Sequence, residues 1–133
     1  MWLLYNPGMD NRETLKTARD LLLGLHKTLV DFERSIYEGI NGEVSSGQFL
    51  NLLLEDRDFA WLRKFSTLIV DIDEMFAQKD GFTDEQVAAH FKKIRDVIGM
   101  KESDDDFVYR YQKALQQDLD ATGKHAELKS LLA

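Results

Sequence analysis

Three histidines, His26, His90 and His125, are the residues best suited to acid–base or metal chemistry in this sequence. A metal centre in a helical bundle draws on Glu-x-x-His pairs, or on histidines converging from several helices. No Glu stands three residues ahead of any of the three, and H-E-x-x-H is absent. A second set is more suggestive: Arg12, Arg19, His26 and Glu33 recur every seven residues. On a helix they form one polar row, flanked on its far side by an apolar row of Leu23, Val30 and Tyr37. A polar row between apolar neighbours is partly covered, and a covered charge without a partner costs several kcal/mol. His26 and Glu33 are about two turns apart, roughly 10 Å along the axis, so a mediator from another helix is required. Asp73 is the expected one. The expectation is an interhelical cluster of Arg19, His26, Glu33 and Asp73. Its members read either as seam charges that fix helix register or as the wall of a ligand pocket. As metal ligands the set would be His26, His90, Glu33 and Asp73.

Other chemistry fails on spacing. Asp71 and Asp73 point about 160° apart on a helix and cannot share a site. The acids Glu102, Asp104, Asp105 and Asp106 surround Ser103 at a helix start, where they complement the helix dipole with no ion required. The segment from Phe76 to Glu85 lacks the carboxylates that a calcium loop needs at its early positions. No G-x-S-x-G, P-loop or G-K-[ST] occurs. With no nucleophile–base pair, no enzymatic activity is expected.

Composition narrows the classes further. The 133 residues carry 24 acids against 17 bases, a formal charge of −7, and no cysteine. Disulfides and thiolate metal sites are excluded. An acidic surface with Lys92, Lys93 and Arg95 interrupted by acids argues against nucleic acid and anionic membranes. No apolar run is long enough to span a bilayer, and the absence of cysteine fits the cytoplasm. No cofactor is expected.

Helical periodicity must position these residues. The first helix is expected from Asp10 to Asn41-Gly42, with a seam of Leu15, Ala18, Leu22, Leu25, Leu29, Phe32 and Ile36 spaced three and four apart. Ser45 and Gln48 have capping-box spacing for a short second helix at about residues 46–55, and a third helix runs from about Asp58 to Ala77. Thr83 and Gln86 start a fourth, with Phe82 and Val87 as a hydrophobic staple and Gly99 as its stop. Ser103 caps a fifth, whose face is Val108, Tyr111, Leu115 and Leu119 and whose stop is Gly123. Glu127 to Leu132 form a frayed turn or short helix. The fold expected is all-α: an up-and-down four-helix bundle with an additional short helix, in a single domain over residues 10–133. Residues 1–9 form an extended apolar lead-in, and either Met1 or Met9 is the native start.

The second apolar row, Leu23, Val30 and Tyr37, continues on the third helix in Phe59 and Val70. These five are either covered by the short second helix or form a two-fold interface between subunits. The stretch Asp58-Phe59-Ala60-Trp61-Leu62-Arg63 running into Leu68-Ile69-Val70-Asp71-Ile72-Asp73-Glu74, with Leu25-His26-Lys27 upstream, resembles a small family of bacterial all-helical proteins over roughly residues 15–98. That resemblance implies a bacterial cytoplasmic protein and transfers no activity. The function expected is a non-enzymatic helical-bundle interaction or accessory protein, partnered by a second copy or another protein. A small-ligand- or metal-binding bundle is the alternative.

Overall fold

The computed structural model describes residues 10–101 and 104–133. The lead-in and the Ser103 cap lie outside the described residues. Six α-helices follow one another: α1 (Asn11–Asn41), α2 (Ser46–Glu55), α3 (Arg63–Phe76), α4 (Asp84–Ile98), α5 (Asp105–Gln117) and α6 (Leu119–Leu131), with a 3-10 segment (Arg57–Leu62) between α2 and α3. The protein is all-α. No helix among the described residues is long and apolar enough to cross a membrane.

Local chemistry sets the boundaries. The Asp10 side chain accepts from the Glu13 amide at the start of α1, and Gly42 (φ 88°) takes the left-handed turn that closes it. Ser45/Gln48 and Thr83/Gln86 both make full, reciprocal capping boxes. Phe82 stacks edge-on against Phe76, with centroids 5.1 Å apart, tying the start of α4 to the end of α3.

Three expectations about elements are corrected. The third helix is not continuous from Asp58. Asp56 caps a 3-10 turn by accepting from the Asp58 amide, and the α-helix begins at Arg63. The Arg63 guanidinium donates to the Leu53 and Leu54 carbonyls (3.0 and 2.6 Å), which satisfies the end of α2 and holds the turn tight. α4 does stop at Gly99 as expected, but the left-handed residue that follows is Met100 (φ 55°), with Gly99 at φ −83°. Asp104 caps α5 by accepting from the Asp106 and Phe107 amides. That helix ends at Gln117, well before Gly123, because Asp118 turns extended and caps a new helix by accepting from the Asp120 amide.

The sixth helix is a full member of the bundle. It packs along α1, which also meets α3 and α4. Ala121, Leu128 and Leu132 are buried, while Leu119, expected on the core face of the fifth helix, is 90% exposed. The Thr28 hydroxyl donates to Asp120 at 3.0 Å, a cross-link between α1 and α6. At the centre of the core, Trp61, Phe65, Phe107 and Tyr111 pack with ring centroids 5.3–6.2 Å apart.

Candidate functional site

The polar row on α1 is divided among three different neighbourhoods. Arg19 meets Asp73 of α3 in a two-pronged pair, Nε to Oδ1 at 2.9 Å and Nη2 to Oδ2 at 2.8 Å. The hydrogen bond to Asp73 raises the Arg19 pKa further and so fixes its charge. This is the register contact expected of seam charges. His26, about two turns further on, has no hydrogen bond among the described residues and instead lies over Phe65, centroids 6.4 Å apart. Burial lowers its pKa and favours the neutral ring. Arg12 sits at the start of the row, 3.8 Å from Asp84 of α4.

Glu33 has a third set of partners. Its Oε2 accepts from the Trp61 indole N–H at 3.2 Å, and Arg110 of α5 stands 4.0 Å away. The Glu33 side chain is only 13% exposed. Burial raises its pKa, against the opposing pull of Trp61, Arg110 and Lys113. Arg110 also reaches Asp106 at 3.0 Å and Asp58 at 3.3 Å. Burial opposes the Arg110 charge, but these acids outweigh it and its pKa is raised. One guanidinium thus joins α1, the 3-10 segment and α5. Neither Trp61 nor Arg110 carried a sequence signal for this role, since both fall in helical positions that also suit core and surface.

The expected four-residue cluster and its metal alternative are therefore corrected: Arg19 and Asp73 pair, while His26 and Glu33 each belong elsewhere. His90 bonds through Nδ1 to the Gln86 carbonyl of its own helix at 2.7 Å. Among the described residues, no group of three or more His, Asp or Glu side chains is placed to hold a metal ion.

The second apolar row is also split. Phe49 of α2 stacks on Tyr37 and Phe59, centroids 6.4 and 5.5 Å away, and Phe59 packs on Tyr37 at 6.1 Å. Phe59 is buried, so it cannot line an intermolecular face. Val30 is packed against the core, while Leu23 and Val70 remain exposed.

The main seam of α1 behaves differently. It is buried from Leu15 to Leu29 and then emerges, with Ile36 at 37% and Ile40 at 78% exposure. α1 is also much the longest helix among the described residues. α1 has 31 residues, about 46 Å. Helices α3 to α6 have 13 to 15, about 20 Å each. Where the seam emerges, Phe32, Ile36 and Ile40 border a cleft of about 320 Å³ against Tyr109, Arg110 and Lys113 of α5, with Glu33, Asp56 and Asp58 also in its lining. Tyr109 is 63% exposed. The cleft joins apolar surface to charges of both signs.

No family model matches the chain, and neither a curated protein nor a solved structure matches it.

Proposed function

We propose that this protein is a non-enzymatic helical interaction module of the cytoplasm that self-associates through the uncovered end of α1. The observation that carries the reading is the emergence of the seam. Phe32, Ile36 and Ile40 lie at i, i+4 and i+8 on one helix face, and Ile36 and Ile40 stay exposed beside the α5 cleft. A helical stripe of this kind is buried by a further helix.

A second copy fits the rim. Asp56 and Lys113 line the cleft with opposite charges, while Arg110 and Asp58, also in its lining, pair with each other at 3.3 Å within the chain. A two-fold axis sets the same apolar centre of Ile36, Ile40 and Tyr109 of each copy against that of the other, with Asp56 and Lys113 left to pair across the rim. Polar rims of this sort set orientation, and the apolar centre supplies affinity.

Multi-angle light scattering tests the proposal. The wild-type chain is expected at twice the 15.4 kDa chain mass, and Ile36→Asp/Ile40→Asp at the single-chain mass with unchanged helicity. A wild-type protein that stays at the single-chain mass at high concentration refutes self-association. A dimer untouched by the double substitution places the interface elsewhere.

A further inference from the structure

A second cavity, of about 280 Å³, opens where the C-terminal ends of α4 and α6 meet. Arg95, Lys101 and Lys129 line it together with His125, over an apolar wall of Ile98 and Leu132. In a chain of net charge −7, this convergence of cations is unusual. Arg12, Arg19, Lys27, Arg34, Lys92, Arg110 and Lys124 are each matched to an acid. Among the described residues Arg95, Lys101 and Lys129 have no carboxylate within ion-pair distance, although Arg95 and Lys101 both act on Asp96 through space. The nearby Asp96 is held by Lys92 at 2.7 Å. Complementing the helix dipoles accounts for Arg95 and Lys129 singly, each in the last turn of its helix. It does not account for three cations around one hollow.

His125 adds a fourth donor. Its Nδ1 lies 2.6 Å from the hydroxyl of Tyr111, a fully buried side chain. Desolvation raises the Tyr111 pKa, so the phenol keeps its proton. Donating that proton to Nδ1 gives it an acceptor; the reverse bond would leave a buried O–H unused, which is costly. The Tyr111 bond therefore fixes the tautomer with hydrogen on Nε2. All four side chains then present donors to the cavity, and none presents an acceptor. The ligand that satisfies them is acceptor-rich and anionic.

We propose that this cavity binds a small phosphate monoester bearing an apolar group. Charge selects the head: three cations at one cavity match a phosphate dianion better than a singly charged carboxylate. Ile98 and Leu132 select the body. Size limits it, because 280 Å³ is just below the range of about 300–1,000 Å³ that holds drug-sized ligands.

Phenyl phosphate, titrated into the full chain and followed by NMR at the His125 ring and the α6 amides, tests the assignment. Saturable shifts are expected with phenyl phosphate, about tenfold weaker binding of inorganic phosphate and of benzoate, and no saturation with phenol. Arg95→Gln/Lys129→Gln is expected to weaken phenyl phosphate at least tenfold, while Lys79→Gln, remote from the cavity, leaves it unchanged. Helicity and thermal midpoint confirm that each variant is folded. The assignment is overturned if millimolar phenyl phosphate produces no saturable shift at His125, or if the double variant binds as well as wild type. Equal affinity for benzoate refutes the phosphate head, and equal affinity for inorganic phosphate refutes the apolar body.

Discussion

Glu33 shows how one side chain can be placed correctly along a helix and assigned the wrong company. Its seven-residue spacing from His26 puts it on a partly covered face, and the structure confirms the covering: 13% exposure and a raised pKa caused by burial. What covers it is Trp61 and Arg110, whose identity as partners depends on where the 3-10 segment and α5 pass. Replacement separates its two roles. Glu33→Gln retains an acceptor for the Trp61 indole and removes a desolvated charge, so stability is expected to change by less than about 1 kcal/mol. Glu33→Ala leaves the indole N–H unmatched and a void beside it, and is expected to cost about 1–3 kcal/mol. Urea unfolding of both variants checks the difference. Equal losses mean that the Trp61 bond contributes nothing.

At the level of elements, the strongest local signals produced the most faithful boundaries. Both capping boxes form, because their bonds connect residues only three apart and need no tertiary help. The sixth helix was read as a frayed end because Ala121, Leu128 and Leu132 are separated by Thr122, Gly123, Lys124 and His125 and make no continuous stripe. It forms nonetheless against α1, with Asp118 as its cap; burial along a neighbour overrides weak intrinsic preference. The short α2 illustrates the opposite case. It is rich in leucine, yet Phe49 is its only buried residue, and Leu50 and Leu54 face outward. Phe49→Ala is therefore expected to detach α2 and to cost about 3–5 kcal/mol. Hydrogen exchange should show the α2 amides losing protection first, while those in the middle of α1 keep theirs. Uniform loss across the chain would show that α2 is integral to the core.

For the whole molecule, titration links burial to stability. His26 and His125 have pKa values lowered by burial, so their contribution is full above about 6.5, the unfolded value, and is lost as pH falls through their folded values. Asp96 and Asp120, held low by Lys92 and Lys124 respectively, contribute in the same direction at lower pH. Glu33 runs the other way: with a raised pKa, its contribution is present below about 4.5 and is lost as pH rises through its folded value. The net expectation is a fall in stability from pH 7 to 5, with each histidine adding at most about 1.4 kcal/mol per pH unit. His26→Phe preserves the ring over Phe65 and should flatten that slope, measured as urea midpoints at the two pH values. An unchanged slope removes His26 from the linkage.

The sequence by itself determined the class, the existence and caps of the early helices, and the buried seam of α1 from Leu15 to Leu29, because period and capping are local properties written within a few residues. It also located the covered polar row. Only the tertiary structure decided which helix met each member of that row, that Phe49 would bury Phe59, and that three cations and His125 would gather around one cavity. It also decided that a cleft beside α5 would leave Ile36 and Ile40 uncovered. Periodicity fixes the angle at which a side chain leaves its own helix. The neighbour found at that angle depends on the lengths and crossings of helices distant in sequence, and these are set by packing the molecule as a whole.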